Sequence, residues 1–286
     1  MKKMKTFAKI SEIKTEINRQ RAEGKSIGFV PTMGFLHEGH LSLVRESLQK
    51  TDCTVVSIFV NPTQFGPQED FKKYPRDLER DADILEKEGV GVVFVPDQNE
   101  MYPQGYKTFV EVQDLQDKLC GISRPRHFKG VCTVVLKLFQ IVGPDIAFFG
   151  QKDAQQALIL KRMVRDLNLS VDIDVLPIVR EADGLALSSR NVYLNTEERK
   201  AALCLIKCLK KAEQMIKKGE RKSSQIIQTI QQIINSEPMA RMDYVEIVDL
   251  DNLDPLDKIE GEALIALAVY VGKIRLIDNM IVILEE

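Results

Sequence analysis

Residues Gly28-Phe-Val-Pro-Thr-Met-Gly-Phe-Leu-His-Glu-Gly-His-Leu-Ser-Leu43 constrain this chain more than any other stretch: an apolar run, a loop with two glycines and two histidines, then an amphipathic segment. The pattern predicts a strand over Ser26–Val30, a tight loop, and a helix that begins near Gly39 or His40 and runs to about Lys50. A strand ending at Val30 delivers its loop to the carboxyl edge of a sheet, where ligands sit in open α/β folds. Gly34 and Gly39 permit positive φ or close backbone approach. The helix start presents unpaired N–H groups and the positive end of its dipole, which suits phosphate. His37 and His40 lie one turn apart there and can donate hydrogen bonds to phosphate oxygens as charge develops on them.

Other readings compete for this loop. A zinc helix of the H-E-x-x-H kind needs histidines four apart, and H-E-G-H sets them three apart. No G-x-G-x-x-G occurs, which removes the dinucleotide fingerprint. A histidine that merely caps a helix, beside a structural one, stands as the plain alternative.

The remaining pattern predicts an α/β chain. A first helix spans Ile10–Glu23, and Cys53–Val60 reads as a central strand, apolar enough to be covered on both faces. It ends at Asn61-Pro62, which puts Asn61 and Gln64 on a loop at the same sheet edge as His37. A charged helix from Pro75 to Glu88 precedes a buried strand over Gly89–Val95, and Gly105–Val112 reads as a short edge strand. Leu119–Lys129 forms a loop with a basic cluster, Arg124, Arg126, His127 and Lys129, ahead of an apolar helix over Val131–Val142. A strand at Ile146–Phe149 leads through Gly150-Gln-Lys-Asp153, with Asp153 as N-cap, into a helix ending at Leu167. Val171–Pro177 is a further strand. Strand alternating with helix implies right-handed crossovers and a parallel sheet.

After Pro177 the character changes. Val179–Leu194 is a polar loop or hinge carrying Ser188, Ser189, Arg190 and Asn191. Thr196 caps a helix to about Lys218, Ser223–Asn235 is another, and Tyr244–Val248, Ala263–Val271 and Met280–Leu284 read as strands, with Lys273–Asp278 pairing beside them. The expected organisation is a large domain over residues 1–180 and a smaller α+β domain over 181–286 that acts as a lid.

Composition closes off several function classes. With 40 Lys+Arg against 42 Asp+Glu and no long basic block, a nucleic-acid surface is not expected. No apolar run approaches a membrane span, and the basic start lacks the apolar core of a signal peptide. Five cysteines without a C-x-x-C pair point to a reduced, cytoplasmic protein, with Cys204 and Cys208 on one buried helix face.

The string Pro31-Thr-Met-Gly-Phe-Leu-His-Glu-Gly-His40 resembles the H-x-G-H signature of the nucleotidyltransferase superfamily and, within it, the pantothenate synthetase (pantoate–beta-alanine ligase) family. Further matching segments follow in order: Asn61-Pro-Thr-Gln-Phe65, Tyr74-Pro-Arg76, His127-Phe-Lys-Gly-Val131, Phe149-Gly-Gln-Lys-Asp-Ala-Gln-Gln156 and Arg180-Glu-Ala-Asp-Gly-Leu-Ala-Leu-Ser-Ser-Arg-Asn191. The resemblance implies a Rossmann-like parallel sheet with helices on both faces. It also implies ATP-dependent condensation of pantoate with β-alanine through a pantoyl adenylate, in a homodimer.

By the same resemblance, Met33, Gly34, Phe35, Leu36, His37, Glu38, Gly39 and His40, then Gly150, Gln151, Lys152 and Asp153, then Val179, Leu187, Ser188, Ser189 and Arg190, contact ATP. His37, His40, Lys152, Ser188, Ser189 and Arg190 carry the chemistry. Gln64 and Gln156 hold pantoate, with Gln64 also at the β-alanine site; neutral amides there leave the carboxylate nucleophilic. Magnesium accompanies ATP, held mainly by phosphates and water, with no dedicated protein cage, and Asp81 is a candidate partner for it.

Three positions depart from the family pattern: Gln151 stands where an acidic residue is usual, Ala154 where an aromatic is, and Lys129 where Arg is frequent. An Arg-to-Lys change would lose bidentate geometry if phosphate bound there. Three other functions remain in view: transfer of AMP or CMP to a phosphorylated small molecule, a synthetase-like activity that would need an RNA-binding domain, and a nucleotide sensor without turnover.

Overall fold

The computed structural model describes residues 4–67 and 69–284. The basic start, Met1–Lys3, lies outside them. The chain runs β1 (Lys5–Phe7), α1 (Ile10–Ala22), β2 (Ile27–Thr32), α2 (Glu38–Lys50), β3 (Cys53–Ile58), α3 (Leu78–Glu88), β4 (Val92–Phe94), α4 (Gln98–Met101), α5 (Cys120–Ser123), α6 (His127–Val142), β5 (Ile146–Gly150), α7 (Ala154–Asp166) and β6 (Asp172–Leu176). Then follow α8 (Thr196–Ala202), α9 (Cys204–Lys217), α10 (Ser223–Asn235), β7 (Ala240–Val248), β8 (Glu262–Val271) and β9 (Ile274–Ile283).

The first six strands form one parallel sheet in the order β1-β4-β3-β2-β5-β6. Successive residues of each strand face opposite sides, so a run of apolar residues feeds two cores. Phe29, Val55, Val92 and Phe149 join Ile13 and Ile17 of α1 and the apolar face of α6 in one cluster. Val30, Val56, Val93 and Phe148 join Leu43 and Val44 of α2 and Leu85 of α3 in another. Helices therefore cover both faces. From β2 the chain builds outward on one side through β3 and β4, then crosses back through α6 to add β5 and β6 on the other side of β2, which opens the crevice expected at a topological switch point.

The last three strands form an antiparallel sheet, β7-β8-β9. Central β8 is buried on both faces: Ala263, Ile265, Leu267 and Val269 pack against Cys208, Ala212, Ile226 and Ile230 of α9 and α10, whereas Leu264 and Ala266 join the core of the parallel sheet. Cys204 and Cys208 both lie in that helical core, and all five cysteines are buried and free.

Several local expectations are corrected. β1 is an additional edge strand of three residues. The expected strand over 105–112 does not form; Val110 instead donates its N–H to Thr133 Oγ1 of α6 at 3.0 Å. α3 begins at Leu78 rather than Pro75 because Asp77 caps it, accepting from the Arg80 N–H at 3.1 Å. Asp153 makes no side-chain cap, since a 3-10 turn over Gln151–Asp153 runs straight into α7. Asn195, not Thr196, caps α8 in a reciprocal box with Glu198. The expected single helix to Lys218 is two, α8 and α9. His127 and Lys129 stand on α6 rather than on a loop, and the two expected C-terminal segments are one strand, β9.

Candidate active site

The signature loop is held from below. Thr32 at the end of β2 donates its hydroxyl to the Ser57 carbonyl at 2.8 Å and accepts the Gly34 N–H at 3.2 Å. Gly34 turns at φ 83°, where a Cβ would stand 3.0 Å from Ile58 Cγ2 and 3.1 Å from Asp81 Oδ2. Asp81, on α3 and almost wholly buried, accepts the Phe35 and Leu36 N–H groups at 2.6 and 2.8 Å. Arg80 beside it donates to the Leu36 carbonyl at 2.9 Å and lies over the Phe35 ring. Both oxygens of Asp81 are therefore committed to the loop backbone, which corrects its candidacy as a magnesium partner. Burial pushes its carboxyl pKa up against the pull of those two N–H donors.

α2 then starts one to two residues earlier than the sequence pattern suggests, with His37 as its N-cap. His37 Nδ1 accepts the Gly39 N–H at 3.2 Å, and His40 Nδ1 accepts the His37 N–H at 3.3 Å. The rings lie against each other, tilted by 33°, with centroids 4.1 Å apart. Gly39 leaves room for this arrangement: a Cβ would stand 3.0 Å from the His37 ring, which would have to give by a few tenths of an ångström. Burial, with Lys152 next in importance, lowers the His37 pKa to about 4. Burial, then His37 and Lys152, lowers that of His40 to about 3. Both imidazoles are neutral at ordinary pH. With Nδ1 accepting from the backbone, the single ring proton of each sits on Nε2, so each ring presents one N–H donor. The capping and phosphate-donor readings of these histidines are thus compatible: one nitrogen caps, the other is available.

On the facing side, Asn61 organises the glutamine turn. Its Nδ2 donates to Gln64 Oε1 at 3.0 Å and to the Gly130 carbonyl at 3.1 Å, while its Oδ1 accepts from Tyr102 at 2.8 Å. Gln64 Nε2 rests against Met33 Sδ at 3.2 Å. His127 meets the Gln64 carbonyl through Nδ1 at 2.8 Å and Arg124 through Nε2 at 3.0 Å. Burial, reinforced by Arg124, lowers its pKa to about 4. α7 carries two adjacent glutamines with different fates. Gln155 is buried and ties the 115–120 loop through three hydrogen bonds of 2.7 to 3.0 Å. Gln156, rotated onto the next helical position, lines the cleft, and its amide has no partner among the described residues.

The polar loop after β6 folds back over the signature loop. Leu187 donates its N–H to the Val179 carbonyl at 3.0 Å. Ser188 caps a 3-10 turn, Ser189 is buried beside the Phe35 carbonyl, and Arg190 makes a two-pronged pair with Asp70 at 3.0 and 2.9 Å. Arg124 is paired likewise with Glu69 at 2.9 and 2.6 Å. Lys152 has no closer carboxylate than Asp153 at 3.9 Å among the described residues.

One open cleft is lined by Met33, His37, Gly39, His40, Gln64, Gly150, Lys152, Asp153, Gln156, Val179, Leu187, Ser188, Ser189 and Arg190. Asn61, Tyr74, Arg124 and His127 line it as well. Gly34, Phe35, Leu36, Glu38 and Gln151 do not: the first three turn toward Asp81 and the core, Glu38 pairs with Arg45 at 2.8 Å, and Gln151 pairs with Asn279. Lys129 is also elsewhere, bonded to Glu111 at 2.8 Å and lying over Phe109, so its difference from Arg has no bearing on a phosphate in the cleft.

A model of the pantoate-beta-alanine ligase family matches residues 5–281. The chain is 58% identical over 272 residues to the pantothenate synthetase of Pelotomaculum thermopropionicum, covering 95% of this chain and 96% of that one. The crystal structure of the pantothenate synthetase from Thermus thermophilus superposes with a TM-score of 0.93 at 44% identity, covering 97% of this chain and 99% of that one. The Francisella tularensis ligase, crystallised with β,γ-ATP and β-alanine, superposes at 0.77 with 35% identity over 97% of each chain. Fold, cleft and near-full-length identity converge: the chain belongs to the pantoate–beta-alanine ligase family.

Proposed function

We propose that the protein condenses (R)-pantoate with β-alanine at the expense of ATP, releasing pantothenate, AMP and diphosphate. A free carboxylate does not react with an amine in water, because oxide is a poor leaving group. Attack by the pantoate carboxylate on the α-phosphorus expels diphosphate and gives pantoyl adenylate. The β-alanine amine then attacks the acyl carbon, and AMP departs with the carboxylate oxygen it acquired. The enzyme's work is alignment and charge neutralisation.

The observation that carries this reading is the pair of neutral imidazoles at the start of α2, facing one cleft with Lys152 and the amides of Gln64 and Gln156. In this reading the Nε2–H groups of His37 and His40 donate to the α-phosphate as its oxygens gain charge. Lys152 counters the triphosphate. Ser188 and Ser189 donate hydroxyls, and Arg190 exchanges Asp70 for phosphate when ATP arrives. Gln64 and Gln156 orient pantoate without a cation that would quench its carboxylate, and Gln64 also borders the β-alanine site, as the family resemblance implies.

Among the described residues no group of three or more His, Cys, Asp or Glu side chains could hold a metal ion. Magnesium enters this proposal as the ion carried by the phosphates and water of ATP. Residues 1–180 bind the substrates, and 181–286 close over them as a lid through the Leu187–Arg190 segment. No helix among the described residues is long and apolar enough to cross a membrane. We place the enzyme in the cytoplasm as a homodimer.

The test is product identity by mass spectrometry with ATP, magnesium and pantoate, with and without β-alanine. Pantothenate and AMP in equal amounts, only when all substrates are present, are expected. A nucleotidylated small molecule, or ATP bound without AMP release, would overturn the assignment.

A further inference from the structure

β9 reads Ile274-Arg-Leu-Ile-Asp-Asn-Met-Ile-Val-Ile283, and its two central polar residues, Asp278 and Asn279, are 2% and 5% exposed. A buried polar pair in an apolar strand is costly unless every atom finds a partner. Here each does, and the partners are the two segments that border the phosphate side of the cleft.

Asn279 Nδ2 donates to the Gln151 carbonyl at 2.9 Å and to the Lys152 carbonyl at 3.0 Å. Its Oδ1 accepts from Gln151 Nε2 at 3.2 Å. These bonds fix the orientation of the amide and clamp the short turn from which the Lys152 side chain enters the cleft. Asp278 takes both Nη atoms of Arg180, at 2.7 and 2.9 Å, and also accepts the Asn279 N–H at 2.9 Å. Arg180 in turn donates to the Gly184 carbonyl at 3.2 Å and pairs by backbone with Ala186, one residue before the Leu187–Arg190 segment.

We propose that Asn279 is a positioning residue for the adenylylation step, acting through the backbone of the Gln151–Lys152 turn, with Asp278 serving the Ser188–Arg190 segment in the same way through Arg180. The inference rests on the functional reading above. It gives a role to the departure at position 151. A glutamine there can donate to Asn279 Oδ1; an acidic side chain cannot while ionised, and would set oxygen against oxygen unless one of the two side chains turned away. Gln151 and Asn279 are therefore a matched pair.

The experiment uses the full-length protein in five forms: wild type, Asn279→Asp, Gln151→Ala, Lys152→Ala and the Asn279→Asp/Lys152→Ala double variant. Asn279→Asp keeps the shape and removes both donors; Gln151→Ala is a second probe that leaves the strand intact. ATP affinity is read by calorimetry, kcat and each KM by AMP release, and folding by thermal melting. A misplacement on the scale of 1 Å can cost about a hundredfold, and a loss of that order in kcat/KM for ATP is expected, with the β-alanine KM unchanged. In the Lys152→Ala background the same substitution should add little to the loss in ATP affinity, because residues acting as one unit are not additive. Equal losses in both backgrounds, or unchanged ATP parameters in both Asn279→Asp and Gln151→Ala, would overturn the role of Asn279. A wild type that releases no AMP would overturn the functional reading instead.

Discussion

His40 accepts the backbone N–H of His37 through Nδ1 at 3.3 Å, and the two ring centroids lie 4.1 Å apart. One side chain thus closes the first turn of a helix and, through its other nitrogen, supplies a donor to the cleft. The two tasks are separable by substitution.

His40→Asn retains an acceptor at the Nδ1 position and lacks the distal donor; His40→Ala lacks both. Loss of one oxyanion-type donor costs about 10² to 10³ in kcat, and both variants should show it. The lost cap adds about 1 kcal/mol of destabilisation in His40→Ala alone. AMP release and urea denaturation of the two variants check the split. Equal kcat for Asn and wild type would remove His40 from the chemistry.

Asp81 is the support under the signature loop. Asp81→Ala leaves the Phe35 and Leu36 N–H groups without their acceptor, a loss of about 1–3 kcal/mol in stability for each unsatisfied buried group. ATP affinity should fall with it as the loop relaxes, whereas the magnesium concentration needed for half-maximal rate should not change. A selective rise in that magnesium requirement would restore Asp81 as a metal partner.

All three histidines in the chain have depressed pKa values, about 4, 3 and 4 for His37, His40 and His127, with burial the leading cause. The unfolded chain binds protons near pH 6.5 and the folded chain does not, so each histidine's share of stability is complete above about 6.5 and is lost as pH falls toward its folded value. The loss approaches about 1.4 kcal/mol per pH unit for each histidine within that window. Melting temperature from pH 8 to 4 tests it. A transition insensitive to pH between 6.5 and 5 would contradict histidines held neutral by the fold.

The strand, loop and helix around His37 were legible because apolar periodicity and two glycines dictate them locally. So was the parallel sheet, from strands apolar enough for two cores. Two of the misses share a cause: partners distant in sequence. The segment 105–112 has strand-like composition, but its Val110 N–H is taken by Thr133 of a helix. Asp278 and Asn279 break the apolar pattern of β9 and read as an interruption, yet they continue the strand because Arg180, Gln151 and Lys152 satisfy them. The polar pair inside an apolar run was the available signal. Asn195 was recoverable too, since Asn-x-x-Glu fits a capping box better than the Thr196 start does. Asp81 carried no local sign of the loop it anchors.

Gly130 lets α6 approach the glutamine turn. A Cβ there would lie 2.4 Å from the Thr63 carbonyl oxygen and 2.6 Å from the Gln64 nitrogen, with backbone on both counts. Gly130→Ala should therefore cost about 1–3 kcal/mol and raise the pantoate KM more than the ATP KM, because Gln64 moves with its turn. Steady-state kinetics in each substrate decide this; a proportionate change in both would contradict the assignment of Gln64 to pantoate.

The central claim is that the pantoate carboxylate attacks the α-phosphorus. Pantoate labelled with 18O in its carboxylate, turned over with ATP, magnesium and β-alanine, tests it most directly. One labelled oxygen in AMP, none in diphosphate, and one retained in the amide of pantothenate are expected. AMP without label, or label in the diphosphate, would contradict it.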